Sequence, residues 1–195
     1  MAAEEPLDVV GIGALNLDLI VDIRDIPATN VVGLRNAFAA DRERPIDVDP
    51  FLDLARDIRA STSRIRPERG GSAFNTIHAL SAMKLGLNLG YVGVDSPPPP
   101  ELADILGCRP PSATSPFGPL GINSECVFSG RSPGGLSIAL VDGIERSLRT
   151  HADRSIAGIL RKNRPAVETY LGRARHLHIT SMIGPGLVNL LVDII

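Results

Sequence analysis

A chain of 195 residues holds one hydrophobic core, or a core with a small appendage. With 44% hydrophobic and 22% charged residues it has the composition of a soluble globular protein, and a net charge of −2 with 4% aromatics and no Trp excludes a strongly basic or base-stacking nucleic-acid binder. No apolar run approaches the ~18 residues of a membrane span, no basic stretch precedes an apolar run at the N-terminus, and Cys108 and Cys126 make no disulfide framework, so the expectation is a reduced, cytoplasmic setting without membrane or nucleic-acid partners.

The first clear element runs from Leu7 to Ile23. Val9, Val10 and Ile12 form an apolar run punctuated by Gly11 and Gly13, and from Leu15 apolar and polar residues alternate with period two, which predicts strand. Residues 24–69 read as a connection holding one helix, from Asp49-Pro50 to Arg59 with Phe51, Leu54, Ala55 and Ile58 on one face. Arg64, Arg66 and Arg69 read as a solvated basic face. Gly70-Gly71-Ser72 leads into a helix from about Ala73 to Leu85, with Phe74, Ile77, Leu80 and Met83 as its apolar spacing and Gly86 as its stop. A strand follows over Leu87–Val94, and then the extended, exposed run Pro97 to Pro100. Residues 101–125 read mostly as loop, with one helical turn near Glu101 to Leu106.

Leu136 to Val141, Asp142-Gly143 and Ile144 to Thr150 predict a hairpin with a type I′ turn, placed on a small separate β layer. Ser155–Lys162 and Pro165–Arg173 read as helices, His176–Thr180 as a strand and Pro185–Ile195 as an apolar helix. Strands alternating with helices predict an α/β fold with a mainly parallel sheet.

Two constellations carry chemistry. Asn16 and Asp18 lie two apart on a strand and share a face, where a carboxylate and an amide can bind vicinal hydroxyls of a polyol. Gly70-Gly71 before a helix lets backbone N–H groups approach a ligand, with Asn75 in the first turn reaching the same place. The plainer alternatives are a strand with one solvated face and a glycine turn capped by Ser72. Gly11-x-Gly13 is a poor dinucleotide fingerprint, because strand-like alternation follows where a helix should open; this weighs against a nicotinamide oxidoreductase. His176 and His178 lack further ligand residues nearby, and there is no Walker loop and no G-x-S-x-G elbow.

In this order the motifs resemble the ribokinase (PfkB-type) family of carbohydrate and nucleoside kinases. VVGIGALNLDLIVDI is similar to that family's opening strand, GGSAFNTIHALSAMKLG to its first signature, LGYVGVDS to the strand and G-x-D segment that follows, and GLSIALVDGIERSLRTHAD to its lid hairpin. The resemblance spans residues 7–150, with looser similarity to Ile195. It implies a central, mainly parallel sheet with flanking helices and a small β lid, within about 17–35 and 124–150. It also implies a homodimer through that lid, ATP and Mg2+ as cofactors, and a response to K+. Asp18 would bind sugar hydroxyls, Gly70, Gly71 and Asn75 would hold the acceptor from the other side, and Asn16 would assist.

The departures are specific. Residues 28–69 exceed the corresponding segment of a simple ribokinase, and Ser72 stands where ribokinases often carry Lys. The prolines after Asp95 replace a D-x-x-G turn, and no acidic sugar contact follows the strand at 176–180. The second family signature, D-T-x-G-A-G-D, is missing; it supplies the anion hole and the base. The expectation is a kinase domain truncated before its C-terminal ATP-binding part, with the base beyond Ile195, carrying the acceptor-binding part and inactive alone. The alternative is a non-catalytic relative that binds a sugar or nucleoside.

Overall fold

The computed structural model describes residues 5–38, 43–108, 110, 117–180 and 185–194. In chain order these form β1 (Leu7–Ile12), β2 (Asn16–Asp22), α1 (Ala28–Phe38), β3 (Glu43–Pro45), α2 (Val48–Ser61), β4 (Arg66–Gly70), α3 (Ser72–Ala82) and β5 (Leu89–Asp95). Then come α4 (Pro100–Leu106), β6 (Ile122–Ser129), β7 (Gly135–Asp142), β8 (Glu145–His151), α5 (Ile156–Lys162), α6 (Arg164–Leu171), β9 (Ala174–Ile179) and α7 (Pro185–Val192).

The stretch Leu7–Ile23, which reads as one element, divides at Gly13 and feeds two sheets. A Cβ at Gly13 would stand 2.8 Å from both the Ala73 Cβ and the Thr180 carbonyl, so only glycine lets the chain pass between α3 and the end of β9. β1 lies in a parallel four-stranded sheet of order β6-β5-β1-β9. Val10 and Ile12 point to one face and pack with Val92, Leu160, Val167 and Leu190, under the helices α5–α7. The other face takes α3, whose Phe74 and Ile77 pack with Tyr91 and Phe117.

β2 opens a second sheet of order β3-β8-β7-β2-β4, with parallel and antiparallel pairs. Period-two alternation gives it two different faces. Leu17, Leu19 and Val21 of β2 and Leu136, Ile138 and Leu140 of β7 are buried against Phe38, Phe51, Ala55, Ile58 and Leu102 of the helices α1, α2 and α4. The segment 24–69 is therefore a helical cover for this sheet, with two α-helices among its described residues rather than one, and with β3 and β4 as its edge strands. This layer carries the predicted hairpin, β7–β8. β6, whose residues 124–129 fall in the span expected for the lid, instead lies in the parallel sheet.

Other boundaries move for local reasons. α3 ends at Ala82, because Lys84 (φ 53°) and Gly86 (φ 71°) take left-handed backbone; Met83 is 61% exposed and not on the apolar face. The hairpin turn sits one residue later than predicted: Asp142 pairs with Glu145, leaving Gly143-Ile144 as the loop. Only Gly143 there has positive φ, at 65°, the pattern of a type II′ turn and not I′. Pro99 is buried and Pro100 opens α4, so the proline run is not wholly exposed. Residues 101–125 include most of α4 and the start of β6; 109 and 111–116 lie outside the described residues, as does 195 of the last predicted helix.

Candidate functional site

Asn16 is in register with Gly70 on one side and Gly135 on the other. A Cβ at Gly135 would overlap the Asn16 amide, and one at Gly70 would overlap the Asp18 carboxylate. The glycines on the flanking strands let these two polar side chains lie over their neighbours instead of standing upright from the sheet. Gly71 follows with φ 109° and is the N-cap of α3; a Cβ there would run into the Ala14 carbonyl. The chain must turn in this way for α3 to start beside Asp18.

The result is a cavity of about 560 Å³ between the uncovered face of the second sheet and the N-terminus of α3. Asn16, Asp18, Gly71 and Asn75 line it, and Gly70 lies beneath Asp18 without lining it. All five residues singled out in the sequence thus meet at one place. Ser137, Thr150, Arg146 and Asp153 also line it and escaped the sequence reading. Alternation along the hairpin carries the signal for Ser137, which shares a face with Ala139 and Val141, two and four residues on; Asp153 has no local signal.

Burial pushes the Asp18 carboxyl up from 3.8 to about 6, Arg146 pulls it down in part, and Glu68 adds to the rise. Burial therefore leaves Asp18 partly protonated at about pH 6.

Two polar ties join the second sheet to the end of β5. Arg69 Nη2 donates to Asp95 Oδ1 at 3.3 Å, and the Ser96 hydroxyl donates to Asp153. Asp153 Oδ1 also accepts the Ser155 N–H at 2.8 Å. Consecutive residues, Asp95 and Ser96, thus hold β4 on one side of the sheet and the end of β8 on the other. Arg69 corrects the reading of a solvated basic cluster. Its side chain is 9% exposed, burial lowers its pKa, and its Nε is buried without a hydrogen-bond partner. Arg64, by contrast, is exposed and paired with Asp25 at 2.9 Å. Replacing Arg69 with Ala is expected to lower stability to urea by about 2 kcal/mol, the scale of a charge-assisted hydrogen bond lost from a buried site, with Arg69→Lys recovering part of it.

The remaining sequence candidates have structural explanations. A Cβ at Gly11 would lie 2.5 Å from Ile77 Cγ1, so Gly11 and Gly13 serve the close packing of α3 on β1. His176 is exposed and His178 half-buried on β9, and no group of metal-ligating side chains occurs among the described residues. Cys126 is buried, with its thiol pushed up to about 11 by burial, while Cys108 is exposed.

No family model matches the chain, and no curated protein matches it. Solved structures do. An adenosine kinase from Schistosoma mansoni bound to adenosine in an occluded loop conformation is 16% identical with a TM-score of 0.66, over 95% of this chain and 50% of its own. A probable sugar kinase from Rhizobium etli is 18% identical with a TM-score of 0.62, over 90% of this chain and 47% of its own. Ribokinase from Giardia lamblia is 18% identical with a TM-score of 0.58, over 96% of this chain and 46% of its own. The chain spans about half the length of the solved structures it matches. The fold is ribokinase-like, as the resemblance implied.

Proposed function

We propose that this chain carries the acceptor-binding part of a ribokinase-type kinase that transfers a phosphoryl group from ATP to a hydroxyl of a sugar or nucleoside. One observation supports this above the others: the Asp18 carboxylate, laid over Gly70 beside Asn16, faces the N-terminus of α3 and Asn75 across the cavity. A carboxylate accepts from two vicinal hydroxyls, and the amides of Asn16 and Asn75 can donate and accept. The second sheet forms the wall that would keep water from the reacting hydroxyl.

The donor side fits less well. The described residues include no metal-ligand group, and the sequence has neither a Walker loop nor the D-T-x-G-A-G-D segment that would cradle a triphosphate and supply a base. The described residues do not form a site for ATP, Mg2+ or K+. Phosphoryl transfer depends on positioning the donor phosphates and a metal, so the chain alone is expected not to turn over. The same observation favours a second reading, a non-catalytic sugar- or nucleoside-binding relative.

The chain's partner in either reading is the small molecule. The outer apolar face of the second sheet is already covered by α1, α2 and α4, which leaves a homodimer through the lid without that surface. No helix among the described residues is long and apolar enough to cross a membrane. A cytoplasmic location is part of the proposal, as expected of a small-molecule kinase.

The test is equilibrium binding of a sugar and nucleoside panel to the 195-residue chain, with transfer of label from ATP followed in parallel. Saturable binding of at least one polyol without label transfer is expected. A panel with no binder at millimolar concentration contradicts the acceptor site, and label transfer contradicts the inactivity.

A further inference from the structure

The cavity-facing side of the second sheet is sorted into rows by its register. In the row next to Asn16 and Gly135, Asp18 pairs with Ser137 and Ser137 with Thr150. Two residues further along each strand, about 7 Å away, Ile20 pairs with Ala139 and Ala139 with Leu148. All six line the cavity. The apolar row is not spent on the core, which lies on the opposite face. Ile20 and Leu148 are half-buried, and they open into the cavity. A polar row that can bind hydroxyls thus adjoins an apolar row.

A free pentose carries hydroxyls around its whole ring. Seated on Asp18, it would turn some of them toward Ile20 and Leu148 and leave them without hydrogen bonds. A nucleoside has the opposite layout: hydroxyls on one edge, and a flat, largely apolar base one glycosidic bond away. Charge narrows the class further. Asp18, Glu43, Glu68 and Asp153 line the cavity against Arg69, already tied to Asp95, and Arg146. This acidic excess opposes an acceptor that carries phosphate or carboxylate.

We infer that the acceptor is an uncharged nucleoside, its ribosyl hydroxyls on Asp18 and its base against the Ile20–Ala139–Leu148 row. The inference rests on the acceptor-site reading above, and the experiment separates the two. Adenosine, uridine, ribose and ribose 5-phosphate are titrated calorimetrically into the 195-residue chain and into Ile20→Ser and Leu148→Ser, after circular dichroism confirms that each variant is folded. Either variant serves if the other fails to fold. At least one nucleoside is expected to bind about tenfold or more tightly than ribose, and ribose 5-phosphate more weakly than ribose. The variants are expected to lose that nucleoside advantage and leave ribose affinity unchanged. Ribose binding as tightly as both nucleosides, ribose 5-phosphate binding best, or a variant that weakens ribose and nucleoside equally overturns the nucleoside assignment and leaves the acceptor site standing. No binding by any of the four compounds overturns both.

Discussion

Asp18→Asn is expected to weaken acceptor binding about a hundredfold and at the same time to make the folded chain more stable at pH 8. The two effects share one cause. Burial raises the Asp18 carboxyl to about 6 in the folded chain, while in the unfolded chain it titrates near its ordinary 3.8. Between those values the folded state holds a proton that the unfolded state has released. Stability therefore falls as pH rises from about 4 to about 6, and the loss persists above that range, on the order of 2–3 kcal/mol from this one group. Asparagine has no charge to desolvate, so urea unfolding of the variant lacks that fall. The acceptor, however, needs the ionised carboxylate to take two hydroxyl hydrogens. Each charge-assisted bond contributes about 1.5–3 kcal/mol, and losing that assistance supports a drop of about two orders of magnitude. Acceptor affinity of the unsubstituted chain should accordingly rise as pH increases through 6. A variant with unchanged affinity, or with the same pH dependence of stability, contradicts the role given to Asp18.

Gly71→Ala has the larger expected effect on folding. The backbone there, at φ 109° and ψ 128°, lies outside the regions open to an L-residue, and the added Cβ meets the Ala14 carbonyl, which is main chain and cannot rotate away. Strained backbone costs about 1–3 kcal/mol and forced overpacking about as much again, so a loss of about 4 kcal/mol is expected. That is a large part of the stability of an ordinary domain. The chain is expected to be largely insoluble or to unfold at far lower urea. Gly70→Ala provides the contrast. The nearest atoms there belong to the Asp18 side chain, which can swing aside, so stability should change less and acceptor affinity more. Equal stability losses for the two variants would contradict the distinct roles assigned to the paired glycines.

How far the sequence carried these assignments depends on whether the physics was local. Asn16 and Asp18 share a face by strand geometry alone, and the site gathered where period two and the diglycine turn placed it. The division at Gly13 was hidden, because both halves of Leu7–Ile23 are apolar and strand-like; what separates them is the passage of α3 and Thr180, far away in the chain. β3 and β4 read Glu-Arg-Pro and Arg-Pro-Glu-Arg-Gly and lack a strand's composition. They are strands because β8 and β2 offer them an edge, a tertiary effect that overrides propensity. α1 escaped notice because Gly33 interrupts it, and its described core contacts come only from Leu34 and Phe38, one turn apart. Arg69 looked like one of three surface arginines, and its partner, Asp95, lies 26 positions further along. The nucleoside assignment likewise depends on cross-strand register, which joins Ile20 to Leu148 through Ala139 and which no single segment displays.

The most direct test of the acceptor site is the titration of the Asp18 carboxyl carbon by NMR, with and without adenosine. With the site as described, Asp18 titrates near 6 in the free chain, and bound hydroxyls, which favour the ionised form, move it back toward the ordinary carboxylate range. An Asp18 that titrates near 4 in the free chain, with a resonance that no nucleoside or polyol perturbs, would contradict the claim that this carboxylate is the acceptor's anchor.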